Sequence, residues 1–368
     1  PTFSTRKPLS DRNDPAFFAT VFSPSAADHA VDAVVLGDPY ADIDKFYPGD
    51  SWDAGSLRGS FHQLQKLKEQ YPHLKTLISV GGWTWSGRFS DVALADVSRK
   101  RFAASCVRFM KTYGFDGIDV DWEYPGGGGL PSNVSRPEDK QNFTLLLEEL
   151  RRQLDTQGGS DSRSYYLSIA APAGPAIYAK LELAKIAATL DWINIMTYDF
   201  NGGWSASTNF NSPLFASTSE PLTDGTKGMN THAAVTAYRA AGMEARKINI
   251  GAAFYGRGWK GVPGANHGLY QSFTGLPKGT WEDGSFDYKD LKVNYIPKYT
   301  RYWHSEARVP WLYSAQEGIM ISYDDPESMR EKAKYVAEQD LGGVMFWELS
   351  GDDTESSLLG ALYSTLRE

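Results

Sequence analysis

Residues 116–123 read Asp-Gly-Ile-Asp-Val-Asp-Trp-Glu. Side chains on a strand alternate between its two faces. Asp119, Asp121 and Glu123 therefore share one face, while Ile118, Val120 and Trp122 share the other. Carboxylates crowded on one face of a buried strand repel each other in a low dielectric, a cost that a purely structural strand rarely carries. The bland alternative is a solvated acidic edge. Two chemical readings compete with it. One is a hard-cation site built from carboxylate oxygens. The other is proton chemistry, in which crowded acids hold one proton and the pKa of the outermost acid rises. The nearby histidine is His73, and no His-rich or EF-type spacing accompanies the run, so the pattern favours proton chemistry; no metal and no cofactor is expected. Residues two apart on a strand lie ~6.7 Å from each other, and in a two-carboxylate glycosidase a separation of ~6.5–9.5 Å implies inversion.

Such a strand must sit among others that shield it. Thr76–Val80, Phe115–Asp121, Tyr165–Ala170, Trp192–Tyr198, Ile248–Phe254 and Gly343–Trp347 all read as buried strands. Between them, helices are expected over Val92–Tyr113, Pro137–Leu154, Ala179–Leu190, Thr231–Ala241 and Pro326–Gln339. Strands alternating with helices of 10–15 residues imply parallel βαβ units, and six or more such strands point to a barrel or a long open sheet. One stretch breaks the rhythm. From Gly256 to about Ile319 the chain is rich in Gly, Pro, Tyr and Trp and lacks a long helix, so it reads as an inserted α+β module. Gly126–Gly129 is a flexible loop directly after the acidic strand.

The chain has 368 residues, enough for a large core. Its formal charge is −8, from 37 basic and 45 acidic residues, which argues against a general nucleic-acid binder. Aromatic residues make up 13%, an excess that suits either a filled core or a surface that stacks on flat ligands. The one cysteine, Cys106, falls in an amphipathic helical run and reads as a small buried apolar residue. No apolar run is long enough to span a membrane. The N-terminus is no signal peptide and lacks an initiator Met, so the chain reads as processed or cut. Sequons at Asn133 and Asn142 weakly favour a secretory route and glycosylation.

At the acidic run the sequence resembles family 18 glycoside hydrolases, the chitinase family, and especially its fungal members with an inserted α+β domain. The resemblance extends through Ser79-Val80-Gly81-Gly82, Met196-Thr197-Tyr198-Asp199, Phe254-Tyr255-Gly256-Arg257 and Met345-Phe346-Trp347-Glu348, in the family's order, over about residues 38–363. It implies a (β/α)8 TIM barrel over residues 1–256 and 320–368 and an insertion domain over 257–319, between strand 7 and helix 7, with the site at the C-terminal ends of the strands.

The resemblance also implies hydrolysis of chitin or chitooligosaccharides by a retaining, substrate-assisted route, an exception to the two-carboxylate scheme. Glu123 would protonate the glycosidic oxygen. The sugar's own 2-acetamido oxygen would attack, giving an oxazolinium ion. Asp121 would hold the acetamido N–H, Asp119 would share its proton, and Tyr198 would donate to the acetamido oxygen. Met196 and Asp199 would shape the pocket, with Trp347 as its floor. Tyr255, Arg257 and Trp83 are further substrate-binding candidates, although Arg257 equally suits anchoring the insertion. Asp116, Ser79, Gly81 and Gly82 would support the site. Trp83, Trp204 and Trp281 read either as sugar-stacking surfaces or as core. A secreted monomer, with no membrane or nucleic-acid partner, is expected.

Other readings are a chitin-binding lectin on the same fold, disfavoured because Glu123 is present, and an endo-β-N-acetylglucosaminidase. The chain departs from the family at its start. Phe17–Phe22 reads as the second barrel strand, and the polar stretch Pro1–Pro15 does not read as a strand. The first strand is therefore expected to be absent or replaced by a divergent segment.

Overall fold

The computed structural model describes residues 2–6, 16–22, 33–221, 223 and 225–368. Its strands are β1 (Thr2–Arg6), β2 (Ala16–Phe22), β3 (Lys75–Gly81), β4 (Gly117–Asp121), β5 (Tyr166–Pro172), β6 (Trp192–Met196) and β7 (Ile248–Ala253). Then follow β8 (Tyr255–Lys260), β9 (Ser285–Asp287), β10 (Thr300–His304), β11 (Val309–Ser314), β12 (Ile319–Ser322) and β13 (Gly343–Trp347). The α-helices are α1 (Gly59–Gln70), α2 (Phe89–Leu94), α3 (Asp96–Tyr113), α4 (Asp139–Asp161) and α5 (Pro175–Tyr178). The later ones are α6 (Leu183–Thr189), α7 (Thr231–Ala240), α8 (Tyr288–Asp290), α9 (Pro326–Glu338) and α10 (Ser357–Arg367).

Eight strands follow the order of a closed barrel, β1-β13-β7-β6-β5-β4-β3-β2. The other five form an antiparallel sheet ordered β10-β11-β12-β8-β9. Strands β2 to β5 pair in parallel, with Ser79 opposite Asp119 and Gly81 opposite Asp121. By packing, the chain divides into two compact units, residues 1–172 with 176–193, and 173–175 with 194–368.

In the first unit, α4 buries Leu146, Leu147, Leu150 and Leu154, the helical spacing of an amphipathic face. Helix α3 buries Phe102, Cys106 and Met110, and burial pushes the Cys106 thiol pKa up. Trp122 leaves the strand on the apolar side. It stacks on Phe89 of α2 at 5.4 Å and meets the edge of Phe143 of α4 at 5.4 Å. The alternation read from residues 116–123 thus holds. In the second unit, the antiparallel sheet has its own apolar core, including Trp259, Leu269, Trp311 and Met320, with Phe210 packed among them.

Two expectations are corrected. Thr2–Arg6 is a strand, pairing antiparallel with β2 from Thr2 opposite Thr20 to Arg6 opposite Ala16. An antiparallel neighbour needs no crossover helix, so the βαβ rhythm carries no trace of it. Residues 7–15 of the stretch expected to be non-strand lie outside the described residues. The single helix expected over Val92–Tyr113 is two. Ala95 is extended (φ −117°, ψ 150°), and Ser98 closes the new start, its Oγ accepting from Ala95 N at 3.2 Å.

Candidate active site

In the first unit, Asp119, Asp121 and Glu123 are all buried. Both Asp119 oxygens are occupied: Oδ1 accepts from Ser168 Oγ at 2.5 Å and Oδ2 from Ser79 Oγ at 3.0 Å. Asp121 has the opposite surroundings. Among the described residues its Oδ1 is buried with no hydrogen-bond partner. Its pKa is raised well above the ordinary carboxylate value, by burial first and then by the charges of Glu123 and Asp119. Burial and its acidic neighbours thus bias Asp121 towards its protonated form.

That bias has a stability consequence. Above the reference Asp pKa of ~3.9 the unfolded chain releases a proton that the folded chain keeps, so stability falls as pH rises through the raised pKa. Asp121→Asn keeps the shape and removes the charge. We expect its thermal midpoint to exceed the parent's at neutral pH, by roughly 2–4 °C per kcal/mol recovered, with the gain shrinking towards about pH 4. Circular-dichroism melts across that range check this; an unchanged or lower midpoint at neutral pH would show that burying the ionisable Asp121 carboxyl is no burden.

The supporting glycines act through backbone geometry. Gly81 has φ +109°, and a Cβ there would meet Asp121 O at 2.1 Å. Gly82 (φ +103°) donates its N–H to the same oxygen at 2.7 Å. Asp116 is not brought to the cluster. At the start of β4 it accepts from Thr76 N (2.9 Å) and pairs with Lys68 (2.7 Å) and Arg163 (2.5 Å), an anchoring role. The peptide bonds Glu123–Tyr124 and Trp347–Glu348 are cis.

The second unit holds Met196, Tyr198, Asp199, Tyr255, Arg257 and Trp347. Tyr198 OH donates towards Met345 Sδ at 3.5 Å. Its ring passes Gly251, where a Cβ would lie 2.8 Å from Tyr198 Cε1; sequence reasoning missed this small residue. Asp199 takes a left-handed φ of +54°, with its N–H held by Asn211 Oδ1 at 2.9 Å. Arg257 bridges Asp199 (2.8 Å) and Glu282 (3.0 Å), with Tyr255 and Trp204 rings each 5.3 Å away. It thus ties the Tyr198-Asp199 turn to Glu282. Tyr255 is buried, and burial, then the Asp199 charge, raises its phenol pKa well above normal. Trp347 and Met196 are half-buried.

The tryptophans left open between core and surface are surface: Trp83, Trp204 and Trp281 are 48%, 62% and 83% exposed. Neither sequon is freely presented. Asn142 is buried on α4, and Asn133 Nδ2 donates to Glu123 O at 3.0 Å.

Acids sharing one face of a buried strand, within a barrel strand order, suit glycosidase chemistry, and the chain belongs to the glycosyl hydrolases family 18, whose model matches residues 16–352. Chitinase A1 of Niallia circulans is 52% identical over 325 residues, covering 87% of this chain and 46% of that protein. Endochitinase 1 of Metarhizium robertsii is 41% identical, covering 89% and 74%. The resemblance is thus not confined to fungal members. A solved Bacillus thuringiensis chitinase has a TM-score of 0.86 and 45% identity, over 91% of this chain and 57% of that one. The fold is the family's (β/α)8 barrel with an insertion domain. The chain spans about half the length of the first of these relatives.

Proposed function

We propose that the chain hydrolyses β-1,4 bonds between N-acetylglucosamine units of chitin and chitooligosaccharides, with retention, by the substrate-assisted route. The observation that carries this is the buried row Asp119–Asp121–Glu123, in which Asp119 accepts from two serine hydroxyls and burial with the neighbouring acids biases Asp121 towards its protonated form. Asp121, with an oxygen lacking a partner, is suited to the acetamido N–H, and with the shared proton passed to Asp119 its carboxylate balances the positive charge of an oxazolinium ion. Glu123 is the acid that protonates the glycosidic oxygen and then the base that activates water. Tyr198 donates to the acetamido oxygen, Met196 and Asp199 shape the pocket and Trp347 is its floor. Two hydroxyls on Asp119 also favour the proton reading over a cation site, because both of its oxygens are already engaged.

The names of the relatives support this substrate. We also assign residues 257–319 as the insertion domain and the remainder as the catalytic barrel, and expect a secreted monomer. Among the described residues no helix is long and apolar enough to cross a membrane.

The test is hydrolysis of N-acetylglucosamine oligomers followed by proton NMR. The β-anomer is the expected first product. Early appearance of the α-anomer overturns the substrate-assisted route, and absence of turnover overturns the hydrolase reading.

A further inference from the structure

Strand β4 ends at Asp121, so Glu123 lies beyond the ladder that fixes the strand's backbone. Its own peptide groups are nevertheless held on both sides by side chains. Glu123 N–H donates to Ser86 Oγ at 2.8 Å, and Glu123 C=O accepts from Asn133 Nδ2 at 3.0 Å. Ser86 is fully buried. Its hydroxyl hydrogen is shared between Gly82 O at 2.9 Å and Asp121 O at 3.1 Å. One hydroxyl therefore ties the end of β3, the end of β4 and the backbone of Glu123 together.

The two holders are themselves joined. Val134 N–H donates to Gly87 O at 3.0 Å, linking the residue after Asn133 to the residue after Ser86. The loop from Gly126 closes on the same carbonyl, since a Cβ on Gly129 would lie 2.0 Å from Glu123 O. Ser86 and Asn133 reach Glu123 from 37 and 10 residues away.

We propose that Ser86 and Asn133 are positioning residues that clamp the Glu123 backbone and so set where its carboxyl meets the glycosidic oxygen; this rests on the hydrolase reading above. Proton transfer needs the acid within hydrogen-bond reach of the atom it serves. A misplacement of ~1 Å costs roughly 10²-fold in rate. Alanine at position 86 leaves the Glu123 N–H buried without its acceptor. Aspartate at position 133 keeps the shape of asparagine but turns an oxygen towards the Glu123 carbonyl, so the holder becomes a repeller.

The experiment compares the parent, Ser86→Ala, Asn133→Asp and Glu123→Gln, and each clamp variant combined with Glu123→Gln. Urea midpoints are measured for all. Each clamp variant is expected to lower kcat about 10–100-fold with oligomer binding retained and the basic limb of the pH–rate profile displaced. In the Glu123→Gln background the same substitutions should change residual turnover little, because residues acting through one group are not additive. A fall of equal size in both backgrounds, or an unchanged kcat and pH limb in both clamp variants, overturns the clamp while leaving the hydrolase reading intact. A parent that does not turn over oligomers overturns the hydrolase reading, and the clamp with it. Should Ser86→Ala fail to fold, Asn133→Asp decides, since the loop residue it alters is half-buried.

Discussion

Glu123→Gln is expected to lower kcat on N-acetylglucosamine oligomers by about 10²–10⁴, a loss of about 3–5 kcal/mol in transition-state stabilisation, while oligomer affinity changes little. Glutamine has the size and hydrogen-bonding reach of glutamate but no proton to give. The Glu123 backbone is held by Ser86 and Asn133, so the substituted side chain starts from the same place. The substitution also relieves Asp121 of one of the two charges that, after burial, raise its pKa. Loss of turnover would then not be traceable to a cluster driven apart by repulsion. Steady-state kinetics beside calorimetric titration with an oligomer measure the two quantities. A parent and variant that both bind without turnover would make the chain a lectin on a hydrolase fold. A variant that keeps parental turnover would remove Glu123 from the acid role.

The acidic row and the strands around it were legible because they obey short-range rules. Strand alternation put Asp119, Asp121 and Glu123 on one face, and the structure finds Trp122 on the other, packed against helices. What was hidden lies in contacts between distant segments and in departures from the alternating rhythm. Ser86 sits in a turn with no period to betray it, and its partner is 37 residues on. Gly251 matters because the Ile195 and Thr197 backbone and the Tyr198 ring all pass it, a close approach that no window of sequence contains. The first strand escaped because its partner is antiparallel. The ion pairs of Arg257 with Asp199 and Glu282 likewise join distant segments. One missed residue did leave a signal. Lys332 is spaced three after Met329 and four before Val336, on the buried face of α9, where a lysine is out of place unless something pairs with it.

That pairing yields the second large effect. Lys332 and Asp324 have fully buried side chains, with Nζ 2.7 Å from Asp324 Oδ2. Nζ also donates to Ser212 Oγ at 2.7 Å, and Ser328 Oγ donates to Asp324 Oδ1 at 2.7 Å. Burial lowers the Lys332 pKa and raises that of Asp324, so desolvation outweighs their mutual attraction in both. The pair is thus no great source of stability while intact, but it is costly to break, because the surviving charge has no water to turn to. Lys332→Met is expected to destabilise the protein by about 3–5 kcal/mol. Adding Asp324→Leu should recover most of that loss, since two well-packed apolar side chains can replace a buried pair at little cost. The disturbance has a route towards the site: Ser212 Oγ donates to Thr197 O at 2.6 Å, and Thr197 Oγ1 donates to Gly251 O at 2.7 Å, next to Tyr198. The single variant should therefore lose activity as well as stability, and the double variant should regain the stability first. Urea unfolding midpoints of the parent, the single and the double variant measure the effect. A single variant as stable as the parent, or a double variant no better than the single, would mean that the stranded charge finds water after all.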